Sequence, residues 1–339
     1  MRILLGMSGG LDSSFSALKL KEEGHSVEGA VLIMHDYTEI DSARVAAEEI
    51  GIKLHEIDCR ALFTEKVIPD FIEQYRNGRT PNPCIVCNRE VKFRALYDYA
   101  MANGFDMIAT GHYAGIGEND GKAVIVRACD EKKDQSYMLW RLTPDIIARL
   151  MFPLASLTKE EIRTEAAKRG LSAAERRDSQ EICFIPSGDY GAYIEERIGK
   201  SEEGDFVDAA GNVLGRHKGI LHYTIGQRKG LGIALGERAF ITDINPNTNK
   251  ITLSFSAKET TEFTVSDTVF SGIVALDTQK TTELFVKVRY QAPPVPCIVE
   301  PISQGRVRVK LISPARSVTK GQSAVFYKGS TLAFGGFID

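Results

Sequence analysis

The sequence of 339 residues lacks any run of about eighteen or more apolar residues, so we expect no membrane-spanning helix. It shows no basic N-terminal region followed by an apolar stretch and a cleavage site, so we expect no signal peptide and a cytoplasmic protein. Its six cysteines do not form a disulfide framework in a cytosolic chain of this length. Internal repeats and low-complexity segments are also absent, and the length suits two or three domains.

The chain has no excess of positive charge, and its net charge of −3 argues against general affinity for nucleic acids. The segment from Lys287 to Asp339 is different, because it holds eight basic residues and two acidic ones and therefore carries +6. A basic end on an acidic body can hold a phosphate backbone, whereas a solvated β-surface would have the same composition. Charge alone leaves both interpretations open.

Two common nucleotide-binding patterns are missing: the Gly-Lys-Ser/Thr ending of a Walker loop and the dinucleotide motif Gly-x-Gly-x-x-Gly. A different glycine-rich turn follows the apolar run Ile3–Leu5. Here Ser8–Ser14 reads Ser-Gly-Gly-Leu-Asp-Ser-Ser, and a helical pattern begins at once. Backbone N–H groups at such a turn bind anions, and the helix dipole adds to the attraction. We therefore expect a pyrophosphate site here, against the alternative of a purely structural turn.

The first 115 residues or so alternate between apolar strands and amphipathic helices. The predicted strands are Ile3–Leu5, Ser26–Met34, Lys53–Ile57 and Asp106–Thr110, and the predicted helices are Ser13–Glu23, Asp41–Ile50, Leu62–Arg76 and Asn88–Asn103. This order is typical of an α/β fold with an open parallel sheet. Ligands of such sheets bind at the carboxyl ends of the strands, where Gly6–Ser14 and Thr110–Ala114 lie.

The rest of the chain changes character. Ser136–Leu150 is predicted to be helical, and Thr158 with Glu161 forms a capping pattern for a helix that ends near Gly170. The predicted strands beyond that point are Thr264–Phe270, Glu283–Val288, Cys297–Glu300, Arg306–Ile312, Ser323–Tyr327 and Leu332–Phe337. Short strands at this spacing indicate a small antiparallel barrel. We predict a catalytic domain over 1–195, a small central domain over 196–262 and a barrel over 263–339.

Three cysteines stand out. Cys84 and Cys87 are separated by two residues just before a predicted helix, and Cys183 follows later in the chain. A helix N-terminus lowers the pKa of a thiol, which favours a reactive role. The alternatives are buried structural thiols, a redox pair, a zinc site short of one ligand, a three-cysteine iron–sulfur cluster and persulfide-based sulfur transfer. The cysteines alone leave these alternatives open.

Six extended motifs lie along the chain: Gly6–Ser13, Gly78–Pro83, Ala109–Tyr113, Lys132–Tyr137, Asp178–Ile185 and His222–Ile233. In order and spacing they resemble the bacterial tRNA-specific 2-thiouridylases, members of the ATP-pyrophosphatase (PP-loop) family. Val288–Tyr290 and Gly321–Gln322 also match, so the resemblance covers nearly the whole chain. It implies an open parallel sheet of the ATP-pyrophosphatase (adenine nucleotide alpha hydrolase-like) type, then a small central domain and a C-terminal antiparallel β-barrel.

The resemblance implies a reaction as well. The family uses ATP and Mg²⁺ to adenylate the C2 oxygen of the wobble uridine (U34) in lysine, glutamate and glutamine tRNAs, and it releases AMP and pyrophosphate. Sulfur then arrives as a persulfide on the cysteine that matches Cys183, and the cysteine that matches Cys87 is the nucleophile. The sulfur donor would be a cysteine desulfurase or a sulfur-relay protein.

The resemblance also implies the binding residues. The ATP site would comprise Gly6, Met7, Ser8, Gly9, Gly10, Leu11, Asp12, Ser13, Leu32 and Gly111. The tRNA contacts would comprise Asn82, Pro83, Cys84, His112, Lys133, Asp134, Gln135, Arg289, Tyr290 and Gln322. No residue is expected to serve as a permanent metal ligand, although Asp12 either holds Mg²⁺ beside the phosphates or caps the first helix.

Many family members carry aspartate where this chain has Cys84, so a role in proton transfer would work differently here. Cys84 also favours the iron–sulfur alternative, because it supplies a third thiol. We expect Arg79–Cys87 and Asp178–Cys183 to be mobile lids that meet when tRNA binds and exclude water from the adenylate. Two competing functions are an ammonia-using ligase of the same ATP-dependent class and a non-catalytic RNA-binding module.

Overall fold

The computed structural model describes residues 1–175, 182–256, 259–272, 282–316 and 318–339. The strands are β1 (Arg2–Gly6), β2 (Ser26–Ile33), β3 (Leu54–Asp58), β4 (Met107–Thr110), β5 (Gly115–Asn119), β6 (Lys122–Val126), β7 (Leu150–Met151), β8 (Gly204–Val207), β9 (Val213–His217), β10 (Phe240–Asn245), β11 (Lys250–Ser254), β12 (Glu259–Phe270), β13 (Thr282–Lys287), β14 (Val295–Ser303), β15 (Arg306–Arg316), β16 (Ser323–Lys328) and β17 (Thr331–Ile338). The α-helices are α1 (Leu11–Glu22), α2 (Ile40–Ile50), α3 (Arg60–Arg76), α4 (Pro83–Cys87), α5 (Phe93–Ala102), α6 (Pro144–Ile147), α7 (Lys159–Lys168) and α8 (Tyr190–Ile198).

The N-terminal part is built on a five-stranded sheet in the order β3-β2-β1-β4-β7, in which every pair is parallel. The middle of its central strand β1 is apolar because helices cover both faces, and Ile3, Leu4 and Leu5 are fully buried. Leu4 packs into the core on one face, and Ile3 and Leu5 pack into the core on the other. The predicted α/β fold is confirmed.

One predicted helix is wrong. Ser136–Leu150 forms a 3₁₀ turn over Ser136–Leu139, then the short helix α6 and then the edge strand β7. Thr143 is extended with a ψ of 152° because the ring of Pro144 excludes the helical region for the residue before it. The expected capping box of α7 is present, since Thr158 accepts from the N–H of Glu161 and the Glu161 carboxylate accepts from the N–H of Thr158.

The central part is a four-stranded sheet in the order β10-β11-β8-β9. The C-terminal part is an antiparallel barrel of six strands in the order β12-β15-β14-β13-β16-β17, which the pairing of β12 with β17 closes. The predicted antiparallel barrel is therefore confirmed. The hairpin β5–β6 leaves the N-terminal part and pairs with β17 through Val126 and Thr331, so the catalytic part and the barrel share a sheet.

No helix among the described residues is long and apolar enough to span a bilayer.

Candidate functional site

The glycine-rich turn connects the carboxyl end of β1 to the first turn of α1. Gly9 has a φ of +76°, and a Cβ at this position would lie 2.3 Å from the backbone of Ser42, so only glycine fits. Gly10 is the N-cap residue and has no side chain with which to cap the helix. No capping side chain of the described residues accepts a hydrogen bond from the first-turn N–H groups of α1. These N–H groups can therefore donate to a phosphate.

Serine hydroxyls hold this turn in shape. Ser13 Oγ donates to the carbonyl of Gly10 at 3.0 Å and accepts from the N–H of Ser8 at 3.2 Å. Ser14 Oγ also donates to the Gly10 carbonyl at 3.0 Å. The two hydroxyls thus preorganise the loop backbone, which reduces the entropic cost of ordering it around an anion.

A second loop approaches the same helix start from the end of β4. A Cβ at Gly111 would lie 2.8 Å from the backbone N of Ser13, so glycine permits the close approach. Leu32 lies in the neighbouring strand β2 and is 8% exposed. The structure thus brings the expected ATP-site residues Gly6–Ser13 and Gly111 together at the carboxyl edge of the sheet, with Leu32 one strand away.

Asp12 is engaged in a way that the sequence did not reveal. Its carboxylate accepts from Lys159 Nζ at 2.8 and 2.9 Å, and from the hydroxyl of Tyr113 at 2.7 Å. Tyr113 is 2% exposed, so this hydroxyl is fixed by its surroundings. The expected alternative that Asp12 caps α1 is not what the structure shows, because Gly10 is the N-cap and Asp12 lies inside the first turn.

Sequence reasoning missed Lys159 and Tyr113 as site residues. Both lie in motifs that the sequence analysis identified, since Lys159 follows the capping Thr158 and Tyr113 ends the motif Ala109–Tyr113. The ion pair joins residues from opposite ends of the N-terminal part. No local pattern encodes such a contact.

The residues at this edge fit a magnesium ion that arrives with a nucleotide. Mg²⁺ takes oxygen ligands and is commonly held by one or two carboxylates together with substrate phosphates. Asp12 supplies one carboxylate beside the helix start. Binding would require Lys159 to yield at least one of the two oxygens that it now occupies.

Cys87 ends the short helix α4 and is buried, with 7% of its surface exposed. The helix begins where the Asn82 side chain accepts from the N–H of Cys84 at 3.2 Å. The Cys87 thiol lies 3.6 Å from the sulfur of Met34. Burial raises the pKa of Cys87 to about 12, although the charge of Lys92 lowers it in part.

The chain continues from α4 through a π-helical turn, Asn88–Lys92, into α5. Such turns occur often at functional sites. The Asn88 side chain is buried, and its amide donates to the carbonyl of Met138 at 3.0 Å, while its carbonyl oxygen has no partner among the residues that the structure describes. The predicted helix Asn88–Asn103 thus begins with an irregular turn directly beside Cys87.

The structure brings Cys183 close to Cys87. Cys183 is exposed, yet partial desolvation of its thiol by the surrounding protein raises its pKa. The next residue, Phe184, packs edge-on against Phe63 and Phe71 at ring distances of 5.2 and 5.4 Å, within the apolar cluster that contains Cys87. Residues 176–181, which include the start of the Asp178–Ile185 motif, lie outside the described part of the chain.

Cys84 is exposed and lies three residues before Cys87 on α4, which places the two side chains on one face of the helix. All six cysteines are free thiols. Across the described ranges, no three His, Cys, Asp or Glu side chains are placed to hold a metal ion. The iron–sulfur alternative is therefore not supported.

The motif Lys132–Tyr137 forms a turn between the sheet and the barrel. Asp134 is 2% exposed, and its carboxylate accepts from the N–H groups of Ala128 and Ser136 at 3.1 and 3.2 Å. Gln135 pairs with the backbone of Tyr113 through two hydrogen bonds, at 2.7 and 3.0 Å. Asp134 and Gln135 therefore anchor the turn, and the half-buried Lys133 precedes them in the chain.

His112 follows the same strand edge and is not placed for acid–base work. Its Nδ1 lies 2.9 Å from the hydroxyl of Thr110, and its ring packs on Phe93 at 5.4 Å. Desolvation, with a smaller contribution from Lys92, lowers the pKa of His112 to about 3. The imidazole is therefore neutral at physiological pH and offers hydrogen bonds alone.

Three further expected tRNA contacts lie where the barrel meets the rest of the chain. Arg289 donates to the Ile225 carbonyl at 3.1 Å and to the Thr319 hydroxyl at 2.7 Å. Tyr290 lies over the turn and donates to the Lys133 carbonyl at 3.5 Å. The Gln322 amide donates to the carbonyl of Thr80 at 2.7 Å, so the barrel braces the segment that leads to Asn82 and Cys84.

Comparison with known proteins adds three family models, which together span most of the chain. They are described as tRNA methyl transferase HUP domain (residues 1–187), tRNA methyl transferase PRC-barrel domain (191–254) and Aminomethyltransferase beta-barrel domain (260–338). Among solved structures, a 4-thiouridine synthetase–RNA complex with bound ATP is 18% identical and has a TM-score of 0.38, over 57% of this chain and 50% of that one.

Curated relatives match over the full length. The tRNA-specific 2-thiouridylase MnmA of Desulforamulus reducens is 43% identical over 357 residues, which cover 100% of this chain and 97% of that protein. The tRNA-specific 2-thiouridylase MnmA 1 of Clostridium botulinum strain Loch Maree is also 43% identical, over 100% of this chain and 99% of that protein.

Proposed function

The chain belongs to the tRNA-specific 2-thiouridylase family, and from this premise we propose that it is an ATP-dependent tRNA-uridine 2-sulfurtransferase. It converts the wobble uridine (U34) of tRNA to 2-thiouridine and forms AMP and pyrophosphate. The observation that carries the proposal is the meeting of two distant cysteines: Phe184, next to Cys183, packs in the cluster that buries Cys87.

Nucleotide activation explains why a sulfur-transfer enzyme needs a phosphate site. The C2 oxygen of uridine is a poor leaving group, and its attack on the α-phosphate of ATP converts it into AMP, a good one, with release of pyrophosphate. The open helix start beside Gly9 and Gly10 suits the phosphates. Asp12 would hold Mg²⁺ together with those phosphates, and the ion would offset their negative charge.

The two thiols then supply sulfur. Cys183 carries the sulfur as a persulfide, and its exposure suits loading by a donor protein. The Cys87 thiolate attacks the Cys183 sulfur, which forms a Cys87–Cys183 disulfide and releases hydrosulfide. Hydrosulfide attacks C2 of the adenylated base, AMP leaves with the former uridine oxygen, and a proton is released. A two-electron reductant returns both cysteines to thiols.

The surroundings of Cys87 support a closed reaction space. Water would hydrolyse the adenylate, and a buried thiol beside Met34 and Phe184 lies in surroundings that exclude it. The wobble base would leave its stack to reach this site. Asn82, Pro83 and Cys84 would lie around the base, and His112 and Lys133–Gln135 would also contact the tRNA.

The substrates and partners are proposed on the same premise. The tRNAs are the lysine, glutamate and glutamine isoacceptors, and the sulfur donor is a cysteine desulfurase or a sulfur-relay protein. Arg289, Tyr290 and Gln322 would act at the barrel end of the tRNA site. We retain the domain division 1–195, 196–262 and 263–339 as part of the proposal.

A thiolation assay tests the function. The chain, transcript tRNA, ATP, Mg²⁺ and a persulfide donor should give 2-thiouridine at the wobble position by mass spectrometry, with one pyrophosphate released per sulfur. Cys183→Ser and Cys87→Ser should abolish thiolation, whereas Cys129→Ser, which removes an exposed thiol outside the cluster, should retain it. Pyrophosphate release that survives in Cys183→Ser while ammonia replaces sulfur as the nucleophile would indicate a ligase instead. Binding of tRNA without any pyrophosphate release would indicate an RNA-binding module.

A further inference from the structure

The basic C-terminal segment does not present its charge as the sequence suggested. Lys287 is 5% exposed, and Arg289 bonds to Ile225 and Thr319. On the barrel surface the ion pairs include Arg306 with Asp339, Arg308 with Glu262 and Glu300, Lys310 with Glu300, and Arg316 with Glu259. Six of the eight cations are therefore buried or already engaged, and only Lys320 and Lys328 remain outside these contacts.

The central domain carries a different set of cations. Residues 227–239, here called the basic loop, lie between the 3₁₀ turn Ile220–His222 and β10, and most of them line an open concavity of about 570 Å³. Arg228, Lys229 and Arg238 are exposed, and within the described part of the chain their side chains form no hydrogen bond or ion pair. Among the described residues that line the concavity, Glu237 is the one carboxylate beside these three cations.

The backbone of the basic loop is also open. Gly230 and Gly232 have φ values of +72° and +73°, and a Cβ at Gly232 would meet no atom within 4 Å. Packing therefore does not require glycine at Gly232. The two glycines follow Arg228 and Lys229 and precede Arg238. Because glycine has no side chain, the peptide N–H groups there can approach a phosphate closely.

The base of the basic loop is connected to the sulfur site. The Ile225 carbonyl accepts from Arg289, which also bonds to Thr319. The N–H of Gln322 donates to the Thr319 carbonyl, and its side chain reaches Thr80, two residues before Asn82. This chain of hydrogen bonds therefore links the base of the basic loop to the segment that leads to Cys84 and Cys87.

We propose that the basic loop binds the sugar–phosphate backbone of the tRNA substrate while its wobble base occupies the sulfur site. This inference rests on the proposed function. Guanidinium and ammonium groups that no described residue pairs, in a wide, open concavity beside exposed glycines, suit successive phosphates of an RNA strand. The ion-paired cations of the barrel would have to break existing contacts to do the same.

Salt-dependent binding tests this assignment. The affinity of the full chain for transcript tRNA is measured from 50 to about 300 mM salt for the unaltered protein and for the combined variant Arg228→Ala, Lys229→Ala, Arg238→Ala. Each lost phosphate contact removes about 0.7 to 0.9 from the slope of log affinity against log salt, so the combined variant should lose about 2 to 3. The variant Arg228→Lys, Arg238→Lys keeps the charge and should keep most of the slope.

The matched control removes three cations that already have carboxylate partners. Arg216→Ala, Arg308→Ala and Arg316→Ala together change the net charge equally, and their partners lie at 2.9, 3.3 and 3.2 Å. This control should change the slope by less than about 1.

An equal slope in the loop variant and the unaltered chain overturns the inference. A second result also overturns the inference: the combined variant binds tRNA normally and loses turnover only when a protein supplies the sulfur. That result would point to docking of an acidic protein on the basic loop. Failure of the unaltered chain to bind tRNA would overturn the proposed function first, and this inference with it.

Discussion

Burial of the Cys87 thiol predicts how fast it reacts in the substrate-free protein. Its pKa, raised to about 12, compares with about 9 for an ordinary thiol. At pH 8 the thiolate fraction is then about one in ten thousand, against about one in ten. A more basic thiolate is intrinsically more nucleophilic, by about 20-fold over three pKa units. Alkylation of Cys87 should therefore be about 50-fold slower than that of an ordinary thiol, before any steric shielding is counted.

The measurement is alkylation by iodoacetamide followed by peptide mass spectrometry. Cys129 is exposed and serves as the internal comparison. The Cys84→Ser variant is used because Cys84 and Cys87 fall in one tryptic peptide. Deprotonation increases with pH, so the rate at Cys87 should rise about tenfold per pH unit from pH 7 to 10 without a plateau.

A plateau below about pH 10 would refute the reasoning, because it would show that the folded protein stabilises the thiolate. A rate at Cys87 equal to that at Cys129 would refute it as well. Either result would mean that Cys87 is already activated before tRNA and ATP bind.

The remaining predictions concern the phosphate edge and the turn beside it. Lys159→Met removes the ion-pair partner of Asp12 and should destabilise the fold by about 1 to 3 kcal/mol, measured by thermal unfolding, whereas Lys159→Arg should restore much of the lost stability. Burial lowers the pKa of His112 to about 3, so the imidazole titrates below the working pH range. His112→Asn should therefore leave the shape of the pH–rate profile between pH 5 and 8 unchanged. An inflection near pH 6.5 that disappears in this variant would contradict the prediction. Asp134→Ala leaves two buried N–H donors without their acceptor and should cost about 2 to 4 kcal/mol in denaturant unfolding, and a smaller loss in Asp134→Asn would identify the hydrogen bonds as the cause.

Local patterns predicted the elements of the catalytic part well. The three helices expected near Ser13–Glu23, Asp41–Ile50 and Leu62–Arg76 are found within two residues at each end. The amphipathic spacing of these helices and the apolar runs of the strands between them are local patterns, so they can be identified without knowledge of distant residues. The failure at Ser136–Leu150 came from one proline, whose effect on Thr143 outweighed the helical pattern around it.

Net charge was the least informative sequence feature for locating an RNA-binding surface. The sequence placed a net charge of +6 between Lys287 and Asp339, but net charge does not say which cations meet carboxylates. In the antiparallel barrel, Arg308 and Lys310 on β15 both face Glu300 on β14, and Arg316 faces Glu259 on β12. Cross-strand register creates these pairs, and it is set only when the barrel closes.

The sequence by itself determined the order of strands and helices, the glycine-rich turn before α1 and the identity of the three thiols, because each depends on neighbours within a few residues. Only the tertiary structure decided that Lys159 and Tyr113 hold Asp12, and that Phe184 brings Cys183 to the buried Cys87. It also decided that Arg228, Lys229 and Arg238 find no ion-pair partner in the described ranges. These facts depend on contacts between segments far apart in the chain, and such contacts exist only once the core has packed.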